Sequence, residues 1–215
     1  RFEALPDMSA NIFRSTGMRI LTANIDPEQH KSAKGAYDSL GRQLGASGRQ
    51  IASAYAAGMK AQMDDFRKKE AVNRALLEKD GIKVLVASHP YNLYDDYIGL
   101  PIIKSIRNLD ARPICSDGVD PRAARKRADE IARYVPWVVS RELLGAIQIF
   151  RGQIDGIVLI TAFPCGPDSM VNEMIIRRID HLPILNLLLD SQDGNAGIET
   201  RLESFIDIIR FRKEA

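Results

Sequence analysis

From Asp80 onward the chain alternates short apolar runs with helical stretches, and that alternation limits the possible folds more than any other feature. The runs are Ile82–Ala87 (IKVLVA), Arg112–Cys115, Ile157–Ala162 and Leu182–Leu189 (LPILNLLL). The third extends an apolar stretch that begins at Ile154 and is interrupted only by Asp155 and Gly156. These runs are strand-sized and too continuously apolar for strands with one wet face. Strands of this kind are buried on both faces, in a parallel sheet with helices on either side. The helical stretches between them fit. Leu100–Asn108 carries Ile102, Ile103 and Ile106 on one side, with Leu109 following; Asp120-Pro121 caps a helix running to Tyr134. Further helices are expected over Ser140–Arg151, Asp168–Ile179 and Gly197–Phe211. Ile82–Ala87, Ile157–Ala162 and Ile184–Leu189 should be neighbours in the sheet.

The first eighty residues read differently. Arg1–Gly17 lacks periodicity, Met18–Ile25 reads as a short strand, and Asp26-Pro27 opens a helix to about Leu44. After glycines at 41, 45 and 48, a longer helix runs to about Lys79. Its Ile51, Tyr55, Met59, Met63 and Phe66 recur at spacings of three or four, the pattern of one buried face. The expected organisation is a linker and helical segment over 1–80, the end of an upstream domain, followed by an α/β domain over 81–215. That domain is an open, mainly parallel sheet with helices on both faces, flavodoxin-like or Rossmann-like. Because the chain starts at Arg1 without a methionine, further N-terminal sequence is expected.

Composition removes several function classes. Lys plus Arg is 30 and Asp plus Glu 28, a net charge of +2 that offers no electrostatic case for nucleic acid or an anionic membrane. No apolar run approaches the roughly 20 residues of a membrane-spanning helix. Two cysteines are too few for a disulfide framework, so a reducing cytoplasm is the expected location.

In an open parallel sheet, ligands bind at the carboxyl ends of the strands, near the point where strand order reverses. The residues at those ends are Ser88–Asn92, Ser116–Gly118, Phe163–Ser169 and Asp190–Asn195, all rich in polar residues, Pro or Gly. Cys165 sits just before a helix start, whose unpaired N–H groups and dipole favour thiolate over thiol. It is a metal or cluster ligand, a nucleophile or a small residue in a tight turn, while Cys115, at the end of an apolar strand, reads as core. Gly166, Asp168 and Ser169 open the helix and either bind an anion through backbone N–H groups or simply cap the first turn, Asp168 contributing about 0.3 to 1 kcal/mol. His89, Tyr91 and Asn92 flank Pro90 at a strand end, to contact a ligand or shape a turn. His30 reads as helix surface and His181 as loop. The basic cluster Arg122, Arg125, Lys126, Arg127 and Arg133 is interspersed with Asp129 and Glu130 and reads as a solvated face. There is no Ser-His-Asp set, His-rich zinc pattern or Gly-rich phosphate loop.

Three segments together resemble the 2-hydroxyacyl-CoA dehydratase components and acyl-CoA dehydratase activase-related proteins, in their C-terminal region. They are Val84–Asp96 (VLVASHPYNLYDD), Ile160–Met174 (ITAFPCGPDSMVNEM) and Leu187–Asp207 (LLLDSQDGNAGIETRLESFID). With Val138-Val139-Ser140 they spread the resemblance over roughly Ile82 to Phe211, the first ninety-odd residues carrying little of it. The resemblance implies an oxygen-sensitive iron–sulfur protein of anaerobic metabolism. Its [4Fe–4S]-type cluster would receive electrons from an ATP-dependent activator or take part with a dehydratase subunit in dehydrating an acyl-CoA. Cys165 matches the cluster-ligating cysteine, and Gly166, Asp168, Ser169, Pro90, Tyr91 and Asn92 line the cofactor or CoA thioester site. The chain departs from that pattern in three places. Pro164 stands for a common glycine, Ser88-His89 for Gly-Arg, and Ser191-Gln192 for Glu-His. The family's other cluster cysteines lie upstream and are not in this chain. The alternative is a cluster-free module on the same scaffold that holds a small anion or CoA.

Overall fold

The computed structural model describes residues 4–25, 33–163, 165–190 and 195–214. Asp26-Pro27, His30, Pro164 and Ser191-Gln192 lie outside them. The chain divides into two compact units, residues 1–64 and 65–215.

The second unit holds the sheet. Its strands β1 (Ile82–Ala87), β2 (Ala111–Cys115), β3 (Gly156–Ala162) and β4 (Ile184–Leu189) are all parallel and stand in the order β2-β1-β3-β4. β3 therefore lies between β1 and β4, as the apolar runs predict. Val84, Val86, Val158, Ile160 and Leu187 face one way, against Ile102 and Ile106 of α5 (Gly99–Asn108) and Leu202, Phe205 and Ile206 of α9 (Asn195–Glu214). Leu85, Ile157 and Leu159 face the other way, against Leu144 and Ile147 of α7 (Val138–Phe150) and Val171 and Ile175 of α8 (Gly166–Arg178). Val158 and Leu187 are both fully buried. β4 is an edge strand and alternates: Leu187 and Leu189 are buried, while Asn186 and Leu188 face out.

Helix α6 (Pro121–Arg127) is capped as its sequence predicts, the Asp120 carboxylate accepting from the N–H groups of Arg122 and Ala123. It stops at Arg127, passes into a 3₁₀ turn over Ala128–Glu130 and does not reach Tyr134. Ile131, Ala132 and Val135 turn into the core instead, and Val135 precedes a proline, which disfavours helical backbone. Two of the five basic residues of the cluster are paired, Arg125 with Glu142 and Arg127 with Glu130.

In the first unit, α1 (Leu5–Ile12) stands where the sequence shows no periodicity, and α2 (Ala33–Gln43) is followed by α3 (Gly48–Leu77), which continues into the second unit. Residues 18–25 form no strand. They lack a ladder partner, and side chains hold them: Gln43 Nε2 donates to the Thr22 carbonyl at 2.9 Å, and the Arg19 guanidinium to the Gln43 carbonyl. The stripe along α3 is not a continuous buried face. Ile51 is buried, because Gly41 leaves room for it: a Cβ there would lie 2.5 Å from Ile51 Cγ1. Further along, Met59 and Met63 are 39% and 44% exposed. An apolar period fixes which residues share a face but not how far a neighbouring element covers that face. Tyr37, Leu40 and Leu44 of the α2 end cover only the first turns, forming an apolar groove with Ile51, Tyr55 and Met59.

Candidate functional site

Strand order reverses between β1 and β3, and the segments that follow these two strands meet at that point. After β1 the chain enters Ser88 and a one-turn helix α4 (Pro90–Leu93), with His89 at its start. After β3 it passes Phe163 and reaches Cys165, the residue before the first turn of α8. The Cys165 N–H donates to the Ala162 carbonyl at 3.1 Å, so the loop between strand and helix is tight.

Asp168 joins the two segments. Its carboxylate meets His89 Nε2 at 2.8 Å, with both side chains mostly buried, and the Cys165 thiol donates to the same carboxylate. Burial alone would push this carboxyl up. The hydrogen bonds from His89 and Cys165, with the His89 charge, outweigh burial and hold it below the usual carboxylate range. Tyr91 stacks at a tilt on His89, ring centroids 5.1 Å apart, and is 61% exposed. Burial and the nearby Asp168 and Cys165 push the Tyr91 phenol up, so it stays neutral.

The other sequence-identified residues separate into two groups. Gly166 and Ser169 are exposed, and the Ser169 hydroxyl turns back to donate to the Cys165 carbonyl at 2.9 Å. Asn92 is buried; its amide donates to Ser88 Oγ, whose hydroxyl donates to the Ile160 carbonyl. It therefore fixes the β1 loop against β3. Pro90 faces the opposite side of the loop, in a cleft over β1 and β2. Asp168 does not cap its own helix, since its carboxylate is committed to His89. Below the site, Asn172 Nδ2 donates to Thr161 Oγ1 at 2.7 Å and Asn186 Oδ1 at 3.2 Å, fixing α8 across β3 and β4.

His89, which the sequence offered as a ligand contact or a turn residue, is not among the residues that the resemblance assigned to the cofactor site. Only the topology brings it to Asp168, a buried acceptor 79 positions away in the chain. The signal was a histidine at the carboxyl end of one central strand and an aspartate at the helix start after the other.

Cys115 does not join this site. The register places it level with Val86, and Val86 level with Val158, seven positions before Cys165 in the neighbouring strand. Its backbone is held by Asn73, whose Oδ1 accepts from the Cys115 N–H at 3.1 Å and whose Nδ2 donates to the Cys115 carbonyl at 2.8 Å. Burial and the charge of Asp117 push its thiol up to about 12, so it stays protonated and is a poor metal ligand. Among the described residues, no three His, Cys, Asp or Glu side chains are grouped to hold a metal ion, and no helix is long and apolar enough to cross a membrane. The site therefore offers one thiol, one carboxylate held ionised, and one imidazole.

No curated protein matches the chain. A family model described as a CoA enzyme activase uncharacterised domain matches residues 1–119, more than half of the 215. The chain belongs to that family. The match takes in β1, the His89–Asn92 loop and β2, and includes the first ninety residues, where sequence reading found little resemblance; Cys165 and Asp168 lie beyond it.

Proposed function

We propose that this member of the CoA enzyme activase domain family is the α/β part of an iron–sulfur protein related to 2-hydroxyacyl-CoA dehydratases and their activases. Cys165 supplies one thiolate to a cluster that serves electron transfer or acyl-CoA dehydration. The observation that carries this reading is the position of Cys165, half-buried at a helix start in the crevice where strand order reverses. The residues of this chain do not fit a whole cluster, because the four thiolates such clusters usually take would have to come from one available cysteine. The others must come from outside these 215 residues. The partner in this reading is an ATP-dependent activator or a dehydratase subunit, and the small molecule is an acyl-CoA.

What the chain itself does is orient the sulfur. The helix start favours thiolate at Cys165. The Asp168 charge works against it, and His89, paired to Asp168 and carrying a positive charge when protonated, offsets that charge. The same carboxylate disfavours a small anion at this helix start, which weakens the cluster-free anion reading. Gly166, Ser169 and Tyr91 are exposed, where a cofactor or CoA thioester would approach.

The test is the iron and sulfide content of the full-length protein purified without oxygen. The expected result is a cluster absorbance that Cys165→Ser weakens or abolishes while the far-UV circular dichroism is unchanged. A protein without iron, or a Cys165→Ser variant with its cluster spectrum and iron content intact, overturns the ligand assignment. A cluster-free binding module then becomes the better reading.

A further inference from the structure

On the β2 side of β1 lies a cleft of about 120 Å³, walled by Phe66, Val139 and Leu143, with Lys69, Asp117 and Glu142 among its polar residues. It takes no part in the cluster reading, since Cys165, His89 and Asp168 do not line it. The charged side chains around it do not balance. Lys69 Nζ lies 3.0 Å from Asp65 Oδ2 and 2.9 Å from Asp117 Oδ2, and Arg125 pairs with Glu142. Three carboxylates therefore share two cations, which leaves one negative charge in excess. Burial pushes the Glu142 carboxyl up more than the Arg125 charge holds it down, so that pairing alone does not make up for the lost hydration.

Asp117 marks where a further positive group belongs. Its side chain is 10% exposed, and Oδ2 is shut off from solvent without a hydrogen bond. The Tyr94 hydroxyl donates to Oδ1 instead, at 2.9 Å, and Lys69, close as it is to Oδ2, is out of line to donate. A buried carboxylate oxygen with no donor is costly, and a ligand that brings a donor relieves that cost. Among the described residues Glu142 Oε2 also accepts no hydrogen bond, its pairing running through Oε1. The occupant therefore carries one positive charge and N–H donors. A bare metal ion is a poor fit, because hard cations take six or more oxygens and, among the described residues, no three His, Cys, Asp or Glu side chains are grouped to supply them. The apolar walls call for a carbon chain. At roughly 30 Å³ for each water-sized group, the cleft holds about four.

We infer that this cleft is a binding site for a primary alkylammonium of about four carbons, its N–H groups donated to Asp117 Oδ2 and Glu142 Oε2 and its methylenes laid against Phe66, Val139 and Leu143. A free amine and the end of a lysine side chain share this chemistry. Charge, donors and apolar length select together: a quaternary ammonium has the charge but no N–H, and an alcohol has a donor but no charge.

The test is titration of the full ¹⁵N-labelled chain with n-butylammonium chloride at constant ionic strength, followed by amide chemical shifts. Saturable shifts at Asp117, Val119 and Glu142 are expected, with tetramethylammonium, 1-butanol and butyrate each weaker by about tenfold or more. Glu142→Gln, which removes the charge and keeps the shape, should weaken butylammonium about tenfold. Val139→Trp fills the cleft from a half-buried position and should abolish the shifts, so the inference stays testable if Glu142→Gln frees Arg125 and disturbs the fold. Cys165→Ser should bind butylammonium as wild type does, which separates this outcome from the fate of the cluster reading. Titration with Nα-acetyl-lysine N-methylamide tells the two sources apart: binding at least as tight as butylammonium supports a partner's lysine side chain, and weaker binding supports a free amine. The inference is overturned if butylammonium gives no saturable shift at these residues, if tetramethylammonium, 1-butanol or butyrate binds as tightly, or if Glu142→Gln and Val139→Trp both bind it unchanged.

Discussion

The two cysteines show how much a single residue's surroundings decide. Cys115 ends one apolar strand and Cys165 follows another, yet Cys115 lies within the sheet beside Asp117 with its thiol pushed up to about 12, while Cys165 lies half-buried at a helix start with its thiol on Asp168. At pH 8 the thiolate fraction of Cys115 is roughly one in ten thousand. Iodoacetamide at that pH should therefore modify one thiol per native chain, and peptide mapping should place it at Cys165, Cys115 reacting only after denaturation. Equal labelling of both in the native protein would contradict the protection assigned to Cys115. The sequence made Cys165 legible because a helix start after an apolar run is a local signal. It left the partner of Asp168 open, because the strand order that brings His89 across from it is not written in either segment. For Asn92 the sequence left open a ligand contact or the shaping of a turn, and a one-turn helix at Pro90–Leu93 turns its amide inward onto Ser88, an orientation that a Pro-containing tetrapeptide does not announce.

Among the elements, the parallel strands were the easiest to read and the contacts between helices the hardest. β1 and β3 are buried on both faces, and their composition says so directly. β4 shares that composition but is an edge strand, and only its neighbours decide that Leu188 is 46% exposed. The close approach of α6 to α7 has almost no sequence signature beyond a glycine within a helix. At Gly145 a Cβ would fall 1.7 Å from the Ala124 carbonyl oxygen, a backbone atom that cannot swing aside. Gly145→Ala should then cost about 3 kcal/mol or more, as overpacking between two rigid elements does, measured by urea denaturation. Gly152→Ala, where the added Cβ meets nothing within 4 Å, should stay within about 0.5 kcal/mol. Similar losses for both would mean that the helices part without resistance and that the contact at Ala124 does not hold α7 in place.

At the scale of the whole molecule, the sequence placed a boundary at residue 80, where the alternation of strands and helices begins, whereas the compact units divide after residue 64, within α3. The last turns of α3 look like more of the same helix in the sequence. In the structure they are fastened to the sheet. Asn73 is 3% exposed, donates to the Cys115 and Gly118 carbonyls at 2.8 and 3.2 Å and accepts from the Cys115 N–H at 3.1 Å. Lys69 is held by Asp117, and Leu76 and Leu77 pack on the core beneath α7. One buried and two part-buried hydrogen bonds at about 1 kcal/mol each, with the partial apolar burial of two leucines, amount to roughly 4 to 6 kcal/mol, a large part of the stability of an ordinary domain. A fragment of residues 65–215 should accordingly unfold cooperatively in urea, while 81–215 should lose most of that stability or fail to fold. Asn73→Ala in the 65–215 fragment should fall between them, because it leaves the Cys115 N–H and two carbonyls without their buried partner. Equal midpoints for the two fragments would return the boundary to residue 80 and leave the end of α3 as an appendage.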